Sequence, residues 1–191
     1  YHAAKIANPQ PGERALVMGA GTIGIFTMLA LKMFSTEVYV ANRSSERLEK
    51  AKEFGADGVF TYNEDENAFQ EKVDEITDGD KFDIIIEAVG NPAVFKKCVE
   101  AAAHRARIVE VGITPLEANI PLSTLQKKEL QIFGSRNAVR EDFTEIIEFI
   151  RSGKFKIKDM VTTTYTKDQA ETLFDQIIHQ KNALKSIIDF R

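Results

Sequence analysis

The stretch Arg14-Ala15-Leu16-Val17-Met18-Gly19-Ala20-Gly21-Thr22-Ile23-Gly24-Ile25-Phe26-Thr27-Met28-Leu29-Ala30-Leu31 decides how this chain folds. Arg14 to Met18 is a short apolar run of strand length, and Ile25 to Phe34 is long and apolar enough for a buried helix. Between them Gly19, Gly21 and Gly24 stand in the spacing G-x-G-x-x-G, so the order is strand, tight turn, helix. Each glycine has its own task in such a turn. Gly19 permits the sharp exit from the strand, Gly21 lets the backbone approach a pyrophosphate with no Cβ in the way, and Gly24 lets helix and strand pack closely. Thr22 and Ile23 within the turn count with these glycines as cofactor-binding residues, and the helix N-terminus beyond meets an anion with N–H groups and a partial positive charge. A purely structural glycine turn is the competing reading, and the sequence around the turn decides between the two.

Working outward, Glu37 to Ala41 is the next β-rich run, and Ser45 to Phe54 follows at helical spacing behind a serine that can cap it. Gly58 to Tyr62 predicts a third strand, and Glu66 to Thr77 sets Phe69, Val73 and Ile76 on one helical face. Phe82 to Glu87, with Ile84, Ile85 and Ile86 consecutive, has the pattern of a strand covered on both faces. Asn91 and Pro92 form a cap and first-turn pair for a helix running to about Ala102, and Ala106 to Val111 supplies a fifth strand. A loop containing Pro115 and Pro121 leads to a sixth strand, Leu130 to Phe133, and Phe143, Ile146, Ile147 and Ile150 then form one apolar stripe. Strand and helix alternate throughout, which predicts a doubly wound parallel sheet of six strands with helices on both faces, in the order 3-2-1-4-5-6, the Rossmann fold.

The last stretch departs from this pattern. Val161 to Tyr165 is a threonine-rich strand behind a charged loop, followed by a helix from Lys167 to His179 carrying Ala170, Leu173, Phe174, Ile177 and Ile178 and a strand around Ser186 to Phe190. The expected division is therefore a dinucleotide-binding domain over 1–153 and a C-terminal strand-helix-strand segment over 154–191.

Composition excludes several classes of function. With 191 residues and 43% hydrophobic content the chain can bury one ordinary α/β core. Its 29 Asp and Glu against 25 Lys and Arg leave a net charge of −4, with no extended basic field for nucleic acid or anionic lipid. One cysteine, Cys98, permits no internal disulfide and reads as a small buried helix residue. No apolar run approaches the ~20 residues that span a bilayer, and the N-terminus lacks a signal pattern, so a cytoplasmic protein with no membrane partner is expected. His2, His104 and His179 are scattered and read as surface or helix-end residues, so neither a metal site nor a catalytic residue is expected in this chain.

The residues after the second strand bear on which dinucleotide is held. A carboxylate about 20 residues beyond the glycine turn would bind the ribose hydroxyls of NAD, but here the strand ends in Asn42-Arg43-Ser44-Ser45. Asn42 avoids repelling a 2′-phosphate, Arg43 can pair with one and lie over the adenine, Ser44 and Ser45 offer hydroxyls at a helix start, and Arg47 lies one turn on. The expectation is a preference for NADP(H) over NAD(H). A polar turn with a helix cap is the structural alternative.

At this point the chain resembles the cofactor domain of the zinc-dependent medium-chain alcohol and polyol dehydrogenases, the group containing sorbitol and threonine dehydrogenases. The resemblance covers essentially the whole chain and rests on Pro11 to Gly24, Arg47 to Asp57, Phe82 to Gly90, Val111-Gly112 and Phe133-Gly134-Ser135-Arg136. It implies that Ala88, Val89 and Gly90 line the ribose, that Val111, Gly112 and Ile113 meet the nicotinamide, and that Ser135 and Arg136 close its pocket. It implies an alcohol, polyol or sugar-derived substrate, and a catalytic zinc held by a separate domain ahead of Tyr1. The chain opens without an initiator Met in a helical pattern, and is expected to bind cofactor but turn nothing over by itself. The family also pairs two sheets edge to edge through the strand near Leu130 to Phe133, which implies a homodimer or homotetramer. Asn42 departs from the family's usual Asp.

Two rivals are weaker. Tyr1-His2-Ala3-Ala4-Lys5 matches the Y-x-x-x-K pattern of short-chain dehydrogenases, but precedes the first strand of the sheet, where no helix carries it to a nicotinamide. A nucleotide-sensing regulatory module would bind dinucleotide without chemistry, yet nothing here resembles an attached DNA-binding helix pair or channel segment.

Overall fold

The computed structural model describes residues 1–63, 65–153, 157–169, 172, 173, 177 and 183–191. It divides into two compact units, Tyr1–Thr144 and Glu145–Arg191.

In the first unit a short helix α1 (His2–Ile6) leads into β1 (Arg14–Met18), α2 (Thr22–Lys32), β2 (Glu37–Asn42), α3 (Ser45–Glu53), β3 (Gly58–Thr61), α4 (Glu66–Thr77), β4 (Phe82–Glu87), α5 (Pro92–Ala101), β5 (Ala102–Glu110), α6 (Leu122–Lys128) and β6 (Gln131–Gly134). The strands form one parallel six-stranded sheet in the order β3-β2-β1-β4-β5-β6. This is the doubly wound order expected from the sequence, with its reversal between β1 and β4. Leu16, Val17, Ile84, Ile85 and Ile86 are wholly buried, as central strands covered on both faces require.

Local chemistry starts the helices where it was expected to. Ser44 accepts a hydrogen bond from the Arg47 N–H, Asp65 from those of Asn67 and Ala68, and Asn91 from that of Ala93 behind Pro92. α2 differs, since Gly21 is its N-cap and no side chain caps it. The apolar α2 buries Ile25, Met28, Leu29 and Leu31, each stabilising the fold by roughly 1.5–3 kcal/mol relative to exposure.

Several boundaries differ from the sequence reading: α2 begins at Thr22 rather than Ile25, and two further departures have a clear cause. The segment between Pro115 and Leu130 contains α6, because parallel neighbours β5 and β6 need a crossover and Pro121 fixes the entry to a helical turn. β5 begins at Ala102, directly after α5, rather than at Ala106. Its first residues pair with Phe82 across a register shift, and Arg105 at φ +60° takes up the irregularity.

α7 (Arg140–Arg151) runs across the division between the units. Its stripe is amphipathic as expected, and Phe143, Ile147 and Ile150 are exposed. Asp142, on its first turn and 2% exposed, accepts from the Val139 N–H and pairs with His2 at 2.6 Å and Lys5 at 3.0 Å, which ties α1 to that turn.

The second unit contains β7 (Val161–Thr166) and β8 (Lys185–Asp189), a separate two-stranded parallel sheet, with Tyr165 of β7 and the preceding Met160 buried. The expected helix from Lys167 to His179 begins as a 3-10 turn, Lys167–Gln169, and most of its remainder lies outside the described residues. No helix among the described residues is long and apolar enough to cross a membrane.

Candidate functional site

The ladder register lines up the C-terminal ends of β1, β2, β4, β5 and β6. Met18 stands opposite Ala41 and Glu87, Glu87 opposite Glu110, and Glu110 opposite Gly134. The turns that follow therefore leave one edge of the sheet. They carry Gly19 to Gly24, Asn42 to Arg47, Ala88 to Gly90, Val111 to Ile113, and Ser135 with Arg136, so the residues that the sequence reading gave to the cofactor stand on that edge. Open α/β sheets bind ligands at this edge, in the crevice where the strand order reverses.

The glycine turn is built as its spacing demands. Gly19 adopts φ +110°, and a Cβ on Gly24 would run into the Gly19 carbonyl, so α2 lies hard against the turn. Gly21 is the opposite case, because a Cβ there would meet open space. That opening adjoins the uncapped end of an eleven-residue helix, and a diphosphate fits it by chemistry as well as by room. Ile23, 56% exposed, stands on the first turn of α2.

Asn42 is buried at the end of β2. Its Oδ1 accepts from the Ala20 N–H at 3.3 Å, and its Nδ2 donates to the Ser44 carbonyl at 3.2 Å. The side chain therefore joins the glycine turn to the turn before α3. Arg43 is exposed, its guanidinium 6.0 Å from the centre of the buried Tyr62 ring, while the Ser44 hydroxyl donates to Glu46. Burial pushes the Tyr62 hydroxyl up and Arg43 opposes it.

At the end of β4 the wholly buried Glu87 carboxylate accepts from the Val89 N–H at 3.1 Å and from the Gly90 N–H at 3.1 and 2.9 Å, one to each oxygen. Its own carbonyl accepts from the N–H groups of Val111 and Gly112. Gly90 at φ +75° packs so closely on Ile113, and Gly112 on Gly90 and Glu87, that neither leaves space for a Cβ. The two turns are one packed body, with Ile113 projecting at 92% exposure. Ser135 donates its N–H to the Glu110 carbonyl, and Arg136 beyond it is exposed. A cavity of about 300 Å³ adjoins these ends, lined by Asn91, Pro92, Phe95, Glu110, Gly112, Leu116, Ile132 and Phe133 among others.

Sequence reading assigned no role to Glu87 or Glu110. The signal was present, since Ile-Ile-Ile-Glu and Ile-Val-Glu both end apolar strands in a carboxylate, but only the ladder register makes the two neighbours. Cys98 on α5 is buried, its thiol pushed up first by burial and then by the charges of Glu87 and Glu110.

The sequence profile described as zinc-binding dehydrogenase matches residues 22–152. The chain belongs to the zinc-binding dehydrogenase family. Within it, the matched residues belong to a Rossmann-fold domain. The starvation-sensing protein RspB of Escherichia coli (strain K12) is 34% identical over 189 residues, covering 95% of this chain and 53% of that protein. L-idonate 5-dehydrogenase of Vitis vinifera is 29% identical over 189 residues, 96% of this chain and 51% of the relative. Among solved structures, this chain is similar to rspB from E. coli CFT073, described as a short chain alcohol dehydrogenase complexed with cofactor NADH. That likeness has a TM-score of 0.88 at 29% identity and covers 99% of this chain and 56% of that one. The 2R,3R-butanediol dehydrogenase of Bacillus subtilis gives 0.88 at 25% identity, over 100% and 54%. The chain thus spans about half the length of the curated relatives it matches.

The family's name implies zinc, and the side chains present do not fit it. Among the described residues no group of three or more His, Cys, Asp or Glu side chains is placed to hold a metal ion. His2 is engaged with Asp142, and His104 is exposed. No step of chemistry is assigned to a metal on these residues.

Proposed function

We propose that this domain holds NADP(H), and NAD(H) less tightly, for a zinc-dependent medium-chain dehydrogenase moving a hydride between the nicotinamide and an alcohol or its ketone. The observation that carries the reading is the alignment of the glycine turn, Asn42, Ala88 to Gly90 and Val111 to Ile113 on one edge of the sheet at its topological switch. In this reading Gly19, Gly21, Thr22, Ile23 and Gly24 hold the pyrophosphate, and Asn42, Arg43, Ser44 and Arg47 the adenosine ribose and its 2′-phosphate. Ala88 to Gly90 meet the second ribose, and Val111, Gly112, Ile113, Ser135 and Arg136 the nicotinamide. The NADH held by the rspB relative supports pyridine nucleotide in general; the preference for the phosphorylated form rests on Asn42, where a carboxylate would repel the extra phosphate.

The substrate is an alcohol, polyol or sugar-derived alcohol, in keeping with the idonate and butanediol dehydrogenases among the relatives. The zinc belongs to a catalytic domain outside these residues, and 154–191 form the segment returning towards it. β6 is the sheet's outer strand, with Ile132 41% exposed, and is the proposed seam of a homodimer, itself able to pair into a tetramer.

Calorimetric titration with NAD+, NADH, NADP+ and NADPH tests the central reading. Binding is expected for all four, with NADPH tighter than NADH. Tighter NADH overturns the NADP preference, and no heat from any of the four overturns the whole reading. Sedimentation at high protein concentration is expected to show a dimer or tetramer, and a persistent monomer removes the seam.

A further inference from the structure

Glu87 and Glu110 end adjacent parallel strands in direct register, so their side chains stand on the same face of the sheet. Among the described residues neither forms an ion pair with a cation. The Glu87 oxygens are taken up by the Val89 and Gly90 N–H groups, while half-buried Glu110 lines the cavity beside Gly112 and Asn91. A carboxyl group set beside a second one in a desolvated place ionises only at a cost, so Glu110 holds on to its proton. Resting on the nucleotide reading above, we propose that Glu110 gives up its proton to solvent when an oxidised nicotinamide binds beside Gly112, and keeps it when the reduced ring binds.

The reason is the charge of the ring. Oxidised and reduced cofactors share the same pyrophosphate and riboses, but only the oxidised nicotinamide is a cation. A cation beside Glu110 favours its ionised form, so binding and deprotonation assist each other. Burial first, then the hydrogen bond to Glu87, then the Glu87 charge push the Glu110 carboxyl up to about 8, which leaves the proton available near neutrality. The groups facing the pair are few. β4 contributes Glu87, α5 the buried Cys98, and the residue after β3 the buried Tyr62, whose hydroxyl feels Glu87. β6, on the other side of β5, brings Gln131, Ile132, Phe133 and Gly134, none of which titrates.

Calorimetry at about pH 7.5 in two buffers of different ionisation enthalpy counts the protons released. A fall of one unit in Glu110 on binding releases about half a proton per oxidised cofactor. The reduced cofactor is expected to release none, and Glu110→Gln to abolish the difference while still binding both. Equal release with both redox forms overturns the proposal, as does an undiminished difference in Glu110→Gln. Should that variant fail to fold, carbon-13 NMR of labelled glutamate in the unaltered protein replaces it. One carboxyl titrating near pH 8 and moving down only with oxidised cofactor is the expected result, and its absence overturns the proposal. Failure of every pyridine nucleotide to bind overturns both this inference and the reading beneath it, whereas binding without differential release overturns this one alone.

Discussion

Gly21 and Gly24 are three residues apart and do opposite things. A methyl group at Gly24 collides with the Gly19 carbonyl, backbone against backbone, so relief requires α2 to move. Gly24→Ala is therefore expected to destabilise the fold by about 2 kcal/mol or more, read as a lowered urea midpoint. A methyl at Gly21 meets nothing in the protein. Gly21→Ala is expected to keep the urea midpoint while weakening pyridine nucleotide binding by about tenfold or more, or ~1.4 kcal/mol. Equal effects of both substitutions on stability would mean that Gly21 serves the fold alone. Asn42 offers a second contrast, because its Oδ1 bond to the Ala20 N–H survives in an aspartate and its Nδ2 bond to Ser44 does not. Asn42→Asp is expected to shift preference from NADPH towards NADH by a factor on the order of a hundred. Like charges ~4 Å apart repel by about 4 kcal/mol at an effective dielectric of ~20 before salt screens them. An unchanged ratio of dissociation constants would exclude Asn42 as the selector.

At the scale of elements, α6 shows what periodicity misses. It is one short helix with no wholly buried side chain, and its hold on the sheet comes through Lys128. That ammonium donates to the carbonyls of Val99, Glu100 and Ala102 at 2.9, 3.2 and 2.8 Å, capping the end of α5 as the chain turns into β5. Lys128→Met, which keeps the stem and removes the donor, is expected to destabilise the domain by about 1–3 kcal/mol in chemical denaturation. A loss below about 0.5 kcal/mol would show that solvent replaces the bonds. The early start of β5 belongs to the same junction and was hidden for the same reason. Ala102 to Arg105 carry no alternating pattern, and their strand geometry is imposed by pairing with Phe82.

For the molecule as a whole, Glu110 makes stability depend on pH. Its carboxyl stands at about 8 in the folded chain against an ordinary value of 4.5, so between these values the folded state binds more protons than the unfolded. Stability from this group is complete below about pH 4.5 and is lost as pH rises through about 8. Melting temperatures of the unaltered protein are expected to fall from pH 5 to pH 8 relative to those of Glu110→Gln. Parallel curves would show that Glu110 ionises normally.

The amino-acid order by itself determined the alternation of strands and helices, the glycine turn, the caps at Ser44 and Asn91, and hence the strand order β3-β2-β1-β4-β5-β6. These features follow from local periodicity and backbone freedom, which neighbouring residues carry between them. Only the tertiary structure decided that Asn42 bonds Ala20, that Lys128 closes α5, and that Glu87 stands beside Glu110. Such partners are 22 to 29 residues apart in the chain, and no local pattern specifies them. They meet because parallel pairing sets a register, and register is a property of the assembled sheet.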